Sequence, residues 1–119
     1  MIRLAACLAL LPLPLLGEGA TITYRCDVGQ STEQTFVFAP QFLDENRMGK
    51  VEVTHGDTVA TGTMSGDFGP WSWNAGGVIS TLLIDGAEGD QIDMLLHALD
   101  TNATPPTSTS THLTCEAPA

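Results

Sequence analysis

The chain has 119 residues, with 4 Lys or Arg set against 14 Asp or Glu for a formal charge of −10. A chain this short builds one domain around one core. Its charge excludes nucleic acid as a natural partner, because phosphates would be repelled, and it disfavours binding to anionic lipid. A cationic partner would be attracted, and the plainest role of the charge is solubility.

Residues 1–19 read as a secretory signal peptide. Arg3 supplies the positive start, Leu4 to Leu16 is an apolar run, and Gly17 and Gly19 put small residues at −3 and −1 of a cut before Ala20. The run is too short to span a bilayer, and Pro12 and Pro14 interrupt it, so no stable membrane insertion is expected. Leu4-Ala5-Ala6-Cys7 resembles a lipidation box but has only three residues before it, too few for an apolar stretch upstream. The expectation is therefore a single exported domain over residues 20–119, periplasmic or secreted. That domain carries three bases (Arg25, Arg47, Lys50) against thirteen acids, so it keeps the whole negative charge.

Removing Cys7 leaves Cys26 and Cys115, one near each end of the mature chain. Two cysteines allow one connectivity, and an oxidising compartment makes pairing the default. A redox-active pair would be closely spaced, so this bridge reads as structural.

Alternation dominates after residue 20. Ile22, Tyr24 and Cys26 share one face of a first strand. Thr35–Ala39 offers Phe36 and Phe38, and Lys50–His55 offers Val51 and Val53. Thr58–Met64 is rich in Thr and Val, and Val78–Ile84 is apolar between Gly76-Gly77 and Asp85-Gly86. Asp90–Leu99 fits a helix stripe through Ile92, Leu95, Leu96 and Leu99, or a strand through Ile92, Met94, Leu96 and Ala98. The strand is favoured, because Pro105-Pro106 can end a long hairpin loop into a last strand, Ser108–Cys115. The Thr/Ser/Pro run at Thr101–Thr111 also suits a flexible loop. Turn signals fall at Asp44–Asn46, His55–Asp57, Ser65–Asp67, Asn74–Gly77 and Asp85–Asp90. The pattern predicts an all-β fold, a small antiparallel barrel or sandwich of about six to eight strands, with the disulfide joining the first and last.

Catalytic signatures are absent: Gly62-Thr-Met-Ser65-Gly66 has the wrong spacing for a nucleophile elbow, and His55, His97 and His112 stand singly. The chain is read as no enzyme, with no metal and no cofactor. The acidic stretch Asp85–Asp93 offers hard oxygens but not the spacing of a calcium loop, and reads as a solvated turn. Asn102-Ala-Thr104 is a glycosylation sequon without an evident role in a bacterial setting. The most suggestive internal segment is Asp67-Phe68-Gly-Pro-Trp71-Ser-Trp73. Trp71 and Trp73 share a strand face. Exposed, they and Asp67 and Phe68 would form a binding patch; buried, they are the heaviest core residues of a small domain, and burial is the better reading.

Tyr24-Arg-Cys26-Asp27, with Leu113-Thr-Cys115 near the end, resembles the bacterial C-type lysozyme inhibitor family, and the Trp-bearing middle segment is loosely similar. The resemblance implies a small exported β-barrel whose late cysteine bridges back to the first strand, and a partner that is a cationic protein such as a lysozyme. That family's inhibitory Ser-x-Ser-Gly-x-x-Tyr loop has no counterpart: Ala60-Thr-Gly62 and Met64-Ser65-Gly66 are nearest, and Tyr24 is the only tyrosine. Two functions follow as expectations: a non-catalytic binding or inhibitor-like domain, or an accessory envelope protein docking through the Trp71/Trp73 loop. Mass spectrometry of the exported protein is expected to give Ala20 as the first residue and no free thiol; free thiols at Cys26 and Cys115 after non-reducing isolation would overturn the structural role of the pair.

Overall fold

The computed structural model describes residues 20–27 and 33–118. The expected signal segment, its cut site before Ala20 bar that residue itself, and Cys7 lie outside the described residues. Eight antiparallel strands run in chain order: β1 (Ile22–Asp27), β2 (Glu33–Leu43), β3 (Met48–His55), β4 (Thr58–Ser65), β5 (Trp71–Ala75), β6 (Val78–Glu88), β7 (Gln91–Asp100) and β8 (Thr107–Glu116). Each pairs with the next, and β8 pairs with β1, so the sheet closes into an up-and-down barrel.

Closure is uneven. β7 and β8 pair along their whole lengths, from Gln91↔Glu116 to Asp100↔Thr107. β1 and β8 meet only at Cys26↔Cys115 and Asp27↔Thr114, and the disulfide lies across that seam. Its loop spans 89 positions of sequence. Cross-linking a loop of that length removes denatured-state entropy worth about 4.5 kcal/mol on the chain-entropy model.

The alternating residues meet inside. Tyr24, Cys26, Phe36, Phe38, Val51, Val53, Met64, Trp71, Trp73, Leu82, Met94, Leu113 and Cys115 form one buried cluster, with no buried charged residue among the described ones. An eight-stranded barrel is just wide enough for side chains to fill, and here aromatics fill it. The Trp71 ring stacks on Phe38 with centroids 4.6 Å apart, and Tyr24 meets it edge-on at 5.4 Å. Trp73 packs among Phe36, Phe38 and His55. Two glycines make the room. A Cβ on Gly62 would run into the Ser72 carbonyl and stand 3.0 Å from the Trp73 Cβ; one on Gly69, at φ 77°, would stand 2.7 Å from the Trp71 ring.

Gln91–Leu99 lies in strand β7 and not in a helix, with Asp90 in the turn before it and Met94 at the strand's buried centre. The Thr-rich run is strand from Thr107 onward, and only residues 101–106 form the loop. One expected turn is corrected. Asp85–Glu88 is not a loop: β6 continues through Glu88, with a bulge between Ile84 and Gly86, and the turn is confined to Gly89-Asp90. The bulge absorbs the Asp-Gly pair that composition alone reads as a turn. Likewise β2 runs past Ala39 to Leu43, with Pro40 at another bulge.

Gly62→Val is expected to cost about 2 kcal/mol or more by overpacking the lumen, and Trp73→Ala about 3–5 kcal/mol by emptying it. Denaturant midpoints of the oxidised variants check both.

Candidate functional site

Alternation that sends Tyr24 and Cys26 inward sends Arg25 and Asp27 outward. The same parity on β8 puts Thr114 and Glu116 outside Leu113 and Cys115. Because Cys26 and Cys115 face each other, these outer side chains are brought together over the disulfide. Neighbouring strands enlarge the group. Glu33 opens β2 opposite Asp27, Gln91 stands opposite Glu116, and Glu88 stands opposite Gln91 across the β6–β7 hairpin. The Ala117 N–H donates to the Asp90 carbonyl at 2.9 Å, holding the chain end against the hairpin tip.

The result is an open cleft of about 310 Å³ lined by Asp27, Glu33, Glu88, Asp90 and Glu116, with Arg25 the one cation among the described lining residues and Cys115 at its wall. Five carboxylates around a concavity raise the local negative potential above that of a convex surface, because low-dielectric walls focus the field. No group of three or more His, Cys, Asp or Glu among the described residues is arranged to hold a metal ion. The carboxylates come from four separate segments: β1, the start of β2, the β6–β7 hairpin and β8.

The four residues singled out as a binding patch divide. Trp71 and Trp73 are interior, 0% and 5% exposed, so the exposed-patch alternative is corrected for both: each ring is consumed by the lumen packing. Phe68 is 77% exposed in the β4–β5 loop. Asp67 pairs with Arg47 Nε at 2.9 Å, tying that loop to the β2–β3 loop. Phe42 and Met48, near the same barrel end, are also exposed, and Lys50 Nζ lies 6.0 Å over the Phe42 ring.

The three histidines do not converge. His112 Nε2 is 3.1 Å from an Asp85 carboxylate oxygen on the outer wall, with both side chains largely in solvent. His97 sits on β7 opposite Ser110. His55 is half-buried, stacked on Phe36 at 4.2 Å, and its Nε2–H donates to Gln34 Oε1 at 2.7 Å. Burial lowers the pKa of His55 below the usual histidine value and raises that of Tyr24 above the usual phenol value. A second concavity, of about 380 Å³, lies beside His55 on the β2–β3 hairpin and has Glu33 as its only carboxylate among the described residues.

No protein-family model, curated protein or solved structure matches this chain.

No motif or spacing in the sequence marks the cleft carboxylates as a group. A signal for part of it was present: if Cys26 and Cys115 are bridged inside, then Arg25, Asp27, Thr114 and Glu116 must be neighbours outside. Nothing local places Glu33 and Glu88 beside them.

His55 also sets a pH prediction. Its folded-state pKa is depressed, so the unfolded chain takes up the proton first. The contribution of the neutral ring is full above the ordinary histidine value of about 6.5 and is lost as pH falls below it. Urea unfolding at pH 7.5 and pH 5 is expected to show a larger stability loss for the wild type than for His55→Phe, which keeps the stack on Phe36 but does not titrate.

Proposed function

We propose that this protein is a small exported, non-catalytic binding domain that takes a cationic protein on its acidic cleft, in the manner of an inhibitor. The observation that carries the reading is the concave set Asp27, Glu33, Glu88, Asp90 and Glu116 over the disulfide seam. Lysine and arginine side chains of a basic partner would enter the cleft and meet carboxylates held by strands, at little ordering cost. The bridge buried in the wall suits an oxidising compartment, periplasmic or extracellular. A lysozyme is the partner that the cysteine-flanked ends of the chain suggest, and the cleft offers a means of engagement that needs no Ser-x-Ser-Gly-x-x-Tyr loop.

A basic lysozyme is a direct probe. Binding is expected at low ionic strength and should weaken about tenfold or more between about 20 and 200 mM salt. Asp27→Asn/Glu33→Gln/Glu88→Gln should weaken it about tenfold, whereas Asp44→Asn/Glu45→Gln/Asp57→Asn, which removes equal charge elsewhere, should change it far less. Equal effects of the two triple variants, or no binding to any cationic protein at about 50 mM salt or below, would sink the proposal.

A second reading is an accessory envelope protein docking through the end of the barrel. It is favoured by one observation, the exposure of Phe68 beside Phe42 and Met48. With both tryptophans interior, the docking element narrows to Phe68 and its loop. Phe68→Ser should leave the unfolding midpoint unchanged; loss of co-fractionation with envelope components would then favour this reading over the first.

A further inference from the structure

The stagger that lets Cys26 reach Cys115 has a consequence at the other end of β8. β1 is paired to β8 only at Cys115 and Thr114. Glu33 already lies opposite Asp27, so the described β1–β2 ladder goes no further along β8. From Thr107 to Leu113, β8 is paired with β7 on one edge and has no strand partner on the other among the described residues. Thr107, Ser108, Thr109 and Ser110 are exposed in succession, on both faces of the strand, so this part of the β6–β7–β8 sheet projects beyond the filled lumen.

Open edges are normally guarded by charged side chains, proline or a bulge. Thr107–Thr111 has none of these: it is Thr-Ser-Thr-Ser-Thr, in unbroken register with Leu96–Asp100. Behind it, Val78–Leu82 and Leu96–Leu99 carry no carboxylate, and Asp100, opposite Thr107, is the one acid in register with the segment. This is significant in a molecule of charge −10. Two copies repel one another through most of their surfaces, and an uncharged strand edge is where they can meet.

We propose that Thr107–Thr111 is a homodimerisation edge, pairing antiparallel with the same segment of a second copy about a two-fold axis at Thr109. That register sets Ser108 opposite the partner's Ser110 and Thr107 opposite the partner's Thr111, so every opposed pair is a hydroxyl pair with no like charges facing. The next position would set His112 against the partner's Pro106, which cannot donate to a ladder, so pairing stops after five residues. The contact is isologous and uses the edge once, which yields a closed dimer and not a filament. A five-residue ladder makes a small interface, so a dissociation constant on the order of 0.1 mM is expected.

Sedimentation velocity of the oxidised protein between about 10 µM and 1 mM should show a monomer–dimer equilibrium that shifts toward dimer as salt screens the mutual repulsion, opposite in sign to binding of a cationic protein. Amide exchange at Thr107–Thr111 should slow with protein concentration. Ser108→Asp/Ser110→Asp, at exposed positions, should raise the dissociation constant about tenfold or more, while Thr61→Asp/Thr63→Asp, adding equal charge on exposed β4 positions, should not. A protein that stays monomeric at about 1 mM in 500 mM salt, an equal loss in both double variants, or concentration-dependent protection elsewhere overturns the proposal.

Discussion

Two residue pairs and one covalent bond hold β1 against β8, and the barrel depends on that seam. Every other junction in the sheet is a hairpin, made by neighbours in sequence whose register is settled by a short connection. Among the described residues the seam is the one junction between strands far apart in sequence, so it carries the largest loop-closure cost. The disulfide offsets that cost by tethering the unfolded ends, and it does so at the site where hydrogen-bonded pairing is sparsest.

The seam has effects on both sides of the wall. Inward, it closes a lumen narrow enough for Phe38, Trp71, Trp73, Phe36 and Tyr24 to fill, with Gly62 and Gly69 yielding the volume that the indoles occupy. Outward, it gathers acids from β1, β2, β8 and the β6–β7 hairpin into one concavity. Along the strand direction, the same stagger carries β8 past the last described residue of β1, and Thr107–Thr111 has no charged side chain and no second strand partner among the described residues. Core, cleft and edge are thus three consequences of one offset in register.

Much of the fold was legible because a half-buried strand writes its two faces into alternate residues. Phe36 and Phe38, Val51 and Val53, and Leu113 and Cys115 point inward as alternation predicts. The misreading at Asp85–Glu88 has a physical origin: a bulge admits Asp and Gly inside a strand, and local composition does not distinguish a bulge from a turn. Pro40 within β2 is the same case. Parity placed Trp71 and Trp73 only on one face of a strand; their burial, the better reading from the size of two indoles in a small domain, is what the structure shows.

The cleft was legible only in part. Asp27 and Glu116 follow from the cysteines beside them, whereas Glu33, Glu88 and Asp90 arrive through the registers of three separate hairpins. By itself the amino-acid sequence determined the strands, their inward faces, the excess negative charge and the single possible bridge, since each is a property of a residue or of its near neighbours. Closure into a barrel, the gathering of five carboxylates over the bridge and the stretch of β8 edge without a strand partner among the described residues were decided by the tertiary structure alone. All three depend on the stagger between strands about 90 residues apart, and long-range register is a sum over every intervening turn and bulge.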